Sequence, residues 1–110
     1  MNDIRFSTLP PTPYYAVIFA SLRTSGDNGY DTMGDRMMEL ATSQAGFLGV
    51  ESARDTQGFG MTVSYWKDEA SIRAWKNNAE HLIAQETGKE RWYEHYITRV
   101  AKVERAYSLK

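Results

Sequence analysis

The stretch Tyr14–Arg23, YYAVIFASLR, decides the fold. Its β-branched and aromatic residues fall on both alternating faces, which is typical of a strand buried on two sides. The segment before it, Leu9–Pro13, holds three prolines, which disfavour helix and remove backbone donors. We therefore predict an extended arm over residues 1–13 and a single folded domain over residues 14–110.

Downstream of this strand, apolar residues recur first at helical and then at strand spacing. A turn-rich segment, Ser25–Gly29, precedes the helical run, and Gly46 is placed to end that helix. Two strands are predicted next, at Phe47–Arg54 and Gly60–Trp66, and the short turn between them makes them antiparallel. The apolar positions of the helix are Tyr30, Met33, Met37, Leu40 and Ala41.

The rest of the chain predicts one more helix and one more strand. Asp68 can cap the helix, and Asn77–Glu80 has the form of a capping box, so we expect this helix to break there and restart, ending at Gly88. The run Glu94–Leu109, rich in Tyr, Ile, Val and Thr, predicts a long final strand. The order β-α-β-β-α-β indicates an α+β, ferredoxin-like fold: a four-stranded antiparallel sheet with both helices on one face.

The face without helices needs cover, because the first strand is apolar on both sides. Left open, it would expose a patch on the order of several hundred Å², more than monomers usually tolerate. We predict a homodimer in which two sheets face each other. Residues Glu104–Leu109 either reach across to the partner or fray beyond the sheet.

Composition excludes several classes of function. A chain of 110 residues with 42% hydrophobic residues is one globular domain, and is not disordered throughout. Thirteen Lys and Arg against fourteen Asp and Glu give no basic field for nucleic acid. The longest apolar run, Ala16–Ala20, is far short of the roughly 20 residues of a membrane span. The start of the chain lacks a secretory pattern, so we expect a cytoplasmic protein.

The absence of cysteine limits the available chemistry. It excludes disulfides, zinc-thiolate sites, iron-sulfur clusters and cysteine nucleophiles. The two histidines, His81 and His95, are far apart and have no carboxylates in helical register with them, so we predict no metal site.

Four segments carry a family resemblance: VSYW (Val63–Trp66), IRAWKNNAEHLIAQETG (Ile72–Gly88), Trp92–Tyr93 and RVAKVERAY (Arg99–Tyr107). Together they resemble the antibiotic biosynthesis monooxygenase domain family, in particular its small stand-alone bacterial members. The resemblance implies a dimeric α+β barrel of ferredoxin-like subunits, with a pocket between helices and sheet in each subunit. Members that oxidise polycyclic phenols use no metal or flavin, so it also implies that no cofactor is needed.

The heme-degrading branch of that family has a different residue pattern. It relies on an Asn on the first strand, a Trp on the second helix and a His ten residues after that Trp. Trp75 stands at the matching tryptophan position, but Gln85 stands where the histidine would be, and the first strand has no Asn. Heme degradation is therefore the weakest of the functions that the resemblance implies.

Two residues are candidates for catalysis. His81 would face solvent on a continuous helix, about 180° from Ile72, and turns inward only if the helix breaks at Asn77. Turned inward, its imidazole can accept a phenolic proton and leave an electron-rich phenolate for dioxygen. Arg99 falls in the middle of a strand, where a charge is costly unless paired or wet. Arg99 is thus either a site residue or the partner of a glutamate across the dimer.

The candidate substrate contacts are mostly aromatic. Trp75 forms an apolar stripe with Ile72, and is either part of the core or a pocket wall. Trp66 and Tyr65 point to opposite faces of the sheet. The alternation alone does not decide which of the two side chains points toward the helices. The segment Trp92–Tyr93 either closes the pocket mouth or anchors the chain. The set is Trp66, Trp75, Gln85, Trp92 and Tyr93.

We predict a homodimer that binds a small aromatic, polycyclic or otherwise apolar compound in this pocket and oxidises it with dioxygen, as a cofactor-independent monooxygenase. The alternative is a non-catalytic ligand-binding or stress-related barrel protein with the same pocket. The two differ in pocket polarity, because oxidation of a phenol needs a base and an oxyanion partner in one volume. The catalytic hypothesis fails if His81, Gln85 and Arg99 all lie on the outer surface.

Overall fold

The computed structural model describes residues 5–24, 30–86 and 93–109, without the side chains of residues 30–35 and 82–86. The predicted order β-α-β-β-α-β is confirmed. The strands form one antiparallel sheet in the order β2-β3-β1-β4. Within the described residues, no helix is long and apolar enough to cross a membrane. The elements are β1 (Tyr14–Arg23), α1 (Tyr30–Thr42), β2 (Phe47–Arg54), β3 (Phe59–Trp66), α2 (Glu69–Glu86) and β4 (Tyr93–Val103).

Strand β1 is central, and its alternation defines the two faces of the sheet. Tyr15 pairs with Trp66 of β3 on one side and with Lys102 of β4 on the other. Paired residues of antiparallel strands point to the same face. The ring of Trp66 lies 5.5 Å from that of Trp75 on α2. The odd-numbered residues of β1 and their partners therefore form the helix side of the sheet, and the even-numbered ones form the helix-free face.

The core lies between the helix side of the sheet and the two helices. Trp66 is its centre: the side chain is fully buried, and its ring meets Phe47 edge-on at 5.4 Å. The indole Nε1 of Trp66 donates to Ser64 Oγ at 2.8 Å, so the burial leaves no polar atom of this side chain unpaired. The buried residues around Trp66 are Val17, Ala41 and Ile72, with Tyr15, Phe47 and Trp75 packed against them.

Helix α2 begins as predicted but does not break. Asp68 Oδ1 accepts a hydrogen bond from the Ser71 backbone N–H at 2.8 Å, and the hydrogen bonds from Ser71 lower the pKa of Asp68. The expected interruption at Asn77–Asn78 is wrong, because the helix runs unbroken from Glu69 to Glu86. Each exposed Asn costs a helix only about 0.7 kcal/mol or less. Burial of Ala79 one turn beyond Trp75 holds the helix straight through them.

Strand β4 is shorter than predicted. It ends at Val103, which pairs with Tyr14, the first residue of β1. The residue before Tyr14 is Pro13, which has no backbone N–H to continue a ladder. The expected extension through Glu104–Leu109 is therefore wrong: residues 104–109 have no regular structure and are exposed.

Replacing Trp66 with alanine is expected to lower the free energy of unfolding by about 3–5 kcal/mol, because it removes the ring that joins the sheet to α2. Urea denaturation followed by circular dichroism measures this change. Trp66→Phe, which keeps an aromatic ring, should lose clearly less, and the exposed Arg73→Ala should change stability by about 0.5 kcal/mol or less. A loss below about 1 kcal/mol for Trp66→Ala would contradict this account of the core.

Candidate functional site

The helix side of β4 is open to solvent. The helices pack mainly against each other and against β2 and β3. On the helix side of β4, Tyr96 is 58% exposed and Val100 is 51% exposed. The sheet thus offers an exposed strip along β4 beside the helices, in which Tyr96 and Val100 alternate with Thr98 and Lys102.

Three aromatic rings cover one end of this strip. The ring of Phe19 lies 5.3 Å from both Tyr93 and Tyr96, and these two tyrosines lie 5.9 Å from each other. All three spacings are typical of favourable aromatic contacts. We call Phe19, Tyr93 and Tyr96 the aromatic triad. It presents a ring surface with two phenolic hydroxyls, which suits an aromatic ligand with polar substituents.

An irregularity in the pairing of β4 creates the triad. Leu22 pairs with His95, but the next residue, Arg23, pairs with Tyr93. One residue of β4 is passed over, so Tyr93 and Tyr96 both reach Phe19 although they are three positions apart. The sequence pattern included Tyr93 among the candidates but missed Phe19 and Tyr96, because their role depends on this register shift.

A positive charge lies beside the triad. Arg54 Nη2 donates to the hydroxyl of Ser21 at 2.8 Å, and Ser21 is the strand partner of Tyr96. Nη1 of Arg54 also donates to the backbone carbonyl of Gly58. The alternation of β1, read alone, puts Phe19 and Ser21 on one face, but gives no sign that Arg54 reaches across from β2.

Trp75 has the first of the two roles that the sequence left open, as part of the core. Its ring packs on Trp66 at the edge of the core. Its indole Nε1 is buried and has no hydrogen-bond acceptor among the described residues. A buried donor without an acceptor costs on the order of 1–3 kcal/mol. Within the described part of the chain, Trp75 therefore carries an unsatisfied donor at the edge of the core.

Two further predicted site residues, His81 and Arg99, lie on opposite sides of the sheet. His81 is exposed on α2, as expected for a continuous helix. Arg99 is also exposed, but pairs with Ile18 and so lies on the helix-free face, across the sheet from His81. The side chain of Gln85 and the whole of Trp92 lie outside the described residues.

The helix-free face holds a hydrogen-bonded cluster at the β2 edge. Glu51 accepts hydrogen bonds from Tyr65 OH at 2.6 Å and from the Ser7 backbone N–H at 2.9 Å. Burial foremost, and then the hydrogen bond and charge of Glu51, raise the pKa of Tyr65 well above its ordinary value. The cluster therefore fixes the segment around Ser7 against β2, with Tyr65 protonated.

Much of the rest of this face is apolar and exposed. Phe59 is 50% exposed, Met61 44% and Ile97 42%. Exposed apolar groups at this density on one face are typical of an interaction surface.

The described residues hold no group of three or more His, Cys, Asp or Glu side chains that could bind a metal ion.

Comparisons with known proteins identify the family. The sequence profile of the antibiotic biosynthesis monooxygenases matches residues 31–87, more than half of the chain. The chain belongs to the antibiotic biosynthesis monooxygenase family. Within it, the chain is 50% identical to YqjZ, an uncharacterized protein of Bacillus subtilis strain 168, over 99 residues that cover 90% of this chain and 87% of YqjZ.

Solved structures share the fold of this monooxygenase-family chain. SnoaB, a cofactor-independent oxygenase from Streptomyces nogalater, aligns with a TM-score of 0.63 at 11% identity, over 89% of this chain and 98% of SnoaB. MhuD, solved with two manganese protoporphyrin IX molecules bound per active site, aligns with a TM-score of 0.62 at 15% identity, over 87% of this chain and 98% of MhuD. At these identities the likeness concerns the fold.

Replacing Tyr65 with phenylalanine is expected to flatten the alkaline end of the stability profile. The folded state holds the Tyr65 proton more tightly than the unfolded chain, whose tyrosines titrate near about pH 10. The stabilisation that Tyr65 gives the folded state is therefore fully present below that pH and is lost as the pH rises above it. Urea denaturation from neutral to alkaline pH should show a steeper loss above about pH 10 for the wild type than for Tyr65→Phe. Parallel profiles would show that Tyr65 titrates normally.

Proposed function

We propose that this protein is a cofactor-independent monooxygenase that binds a small aromatic or polycyclic compound on the helix side of the sheet, between the helices and β4. The observation that carries the proposal is the aromatic triad on the exposed strip. Membership of the antibiotic biosynthesis monooxygenase family supports the reaction class. A cytoplasmic location stays a prediction.

The size of the ligand follows from the spacing along β1. Tyr15, next to Trp66 in the sheet, and Phe19 in the triad lie on the same side, four residues apart. At about 3.3 Å per residue this separation is roughly 13 Å, which sets an upper length of about three or four linearly fused rings. The ring system then stacks on the triad, with its long axis along β1.

The reaction needs a deprotonated phenol and dioxygen. Loss of the phenolic proton makes the ring electron-rich, dioxygen adds to a ring carbon, and the peroxide formed loses water to leave a quinone. With 1-naphthol, one molecule of dioxygen gives one 1,4-naphthoquinone and one water, and the substrate supplies all the electrons. His81, on the helix side, stays a prediction as proton acceptor. Arg99 lies on the other face and is not part of this site.

The second candidate function is binding without chemistry. It is favoured by the exposure of both His81 and Arg99, which leaves no imidazole buried beside the triad among the described side chains. Heme degradation has less support, since position 85 holds Gln in place of the His of the heme-degrading branch and β1 contains no Asn. The residues present do not fit heme.

We also propose that the protein is a homodimer whose two helix-free faces meet. Its support is the exposed apolar surface of Phe59, Met61 and Ile97, which would be shielded from water in such a dimer.

Replacing Tyr96 with alanine is expected to weaken the binding of 1-naphthol up to about tenfold, because stacking on one aromatic ring contributes about 0.5–1.5 kcal/mol. Isothermal titration calorimetry measures this change. The control is Tyr107→Ala, which removes a tyrosine that is 91% exposed on the tail. Equal affinity of wild type and Tyr96→Ala would contradict the site.

The oxidation itself is expected to consume one dioxygen per 1-naphthol. With oxygen-18 gas, mass spectrometry should find one labelled atom in the naphthoquinone and the other in water. His81→Ala should slow this oxidation while leaving the binding of 1-naphthol within about twofold, since the imidazole is exposed. Tight binding with no dioxygen uptake above the protein-free rate would instead favour the non-catalytic function.

A further inference from the structure

One row of residues crosses the whole helix-free face. Glu51 of β2 pairs with Val63 of β3, Val63 pairs with Ile18 of β1, and Ile18 pairs with Arg99 of β4. The row therefore reads acidic, apolar, apolar, basic from one edge of the sheet to the other. The neighbouring row, Ala53–Met61–Ala20–Ile97, is apolar throughout.

No other described strand residue that the pairings place on this face carries a formal charge like those of Glu51 and Arg99. Among the described strand residues that these pairings place there, Glu51 and Arg99 are the only Asp, Glu, Lys or Arg side chains. Three strand spacings of about 4.8 Å separate their backbones by roughly 14 Å, too far for a strong pair within one chain. Arg99 lies between Ile97 and Ala101 on an apolar face. Burying its charge under another molecule costs free energy unless that molecule supplies an acidic partner.

Two-fold symmetry brings the charges together. Most homodimers have a two-fold axis, so each contact across the interface occurs twice. If the axis runs parallel to the strands, midway between two stacked faces, β4 of one copy lies over β2 of the other. Because Glu51 and Arg99 share one row, both acid-base pairs then form at once. Stacked sheets lie about 10 Å apart, a gap that the two long side chains can close.

We propose that Glu51 forms an ion pair with Arg99 of the partner subunit, and Arg99 with Glu51 of the partner subunit, and that these two pairs set the register of the homodimer. The proposal rests on the homodimer proposed above and names the residues that specify it. Val63 and Ile18 form the apolar centre between the pairs.

Two hydrogen bonds already hold the carboxylate of Glu51 in one position. Tyr65 and Ser7 already hold its carboxylate in place, so little side-chain entropy is lost when a third donor binds. Glu51 is only partly buried, and the two oxygens of a carboxylate together accept about four hydrogen bonds. Arg99 is exposed and can reach such an acceptor from across the interface.

The decisive experiment mixes two charge-reversed variants. Arg99→Glu alone places two acidic residues opposite each other at both ends of the row, and Glu51→Arg alone places two basic ones there. Each should weaken self-association at least about tenfold, because like charges across an interface repel. Mixed in equal amounts, the two variants should form heterodimers close to wild-type affinity, with both pairs restored. Analytical ultracentrifugation measures the association of each sample.

A matched control uses the same strand. Lys102→Glu reverses an exposed charge on β4, but Lys102 pairs with Tyr15 and so lies on the helix side. This variant should associate like the wild type. Circular dichroism of each variant shows whether it folds.

Two neutral substitutions test the same pairing if Glu51→Arg does not fold. Glu51→Gln retains a carbonyl oxygen for Tyr65, and Arg99→Gln removes the positive charge. If the residues pair, either change alone should weaken the dimer, and the second should add little to the first. Independent, additive effects would overturn the pairing.

The outcomes separate the two proposals. A wild-type chain that sediments at 12.6 kDa, the mass of one copy, would overturn the homodimer and the pairing with it. A wild-type dimer that Arg99→Glu leaves unchanged, or folded variants that do not recover when mixed, would overturn only the pairing. Recovery in the mixture, with Lys102→Glu unaffected, is the expected result.

Discussion

The packing of Trp66 on Trp75 is the contact on which the rest of the structure depends. It joins the end of β3 to α2, and so determines which side of the sheet the helices cover. Because side chains alternate along a strand, this one contact also fixes the orientation of every other strand residue. Tyr65, one position earlier, must face away from the helices, and with it the cluster of Glu51 and Ser7.

The two faces that result differ in character. The helix side holds the core over β1, β2 and β3 and leaves the aromatic triad at one end of the exposed strip along β4. The helix-free face holds two charges at its edges and apolar groups between them. A central strand that is apolar in both phases places apolar side chains on both faces of the sheet in one small domain.

Sequence pattern predicted the element order and most boundaries, because turns, caps and apolar spacing are local properties. The Asp68 cap, for example, is visible within four residues. The break in α2 and the length of β4 were wrong because tertiary packing and the position of Pro13 decided them. For the candidate site, the pattern named Trp75 and Tyr93 as candidates but gave neither the face of Arg99 nor the choice between Trp66 and Tyr65. Both depend on register with a neighbouring strand, which no single stretch of sequence contains.

The register shift in β4 also bears on how such a site can arise. On a regular strand, Tyr93 and Tyr96 would point to opposite faces, since an odd spacing reverses the side chain. Only the extra residue between them puts both rings against Phe19. Gain or loss of a single residue near the start of β4 is thus sufficient to bring the three rings together or to separate them without altering any of these side chains.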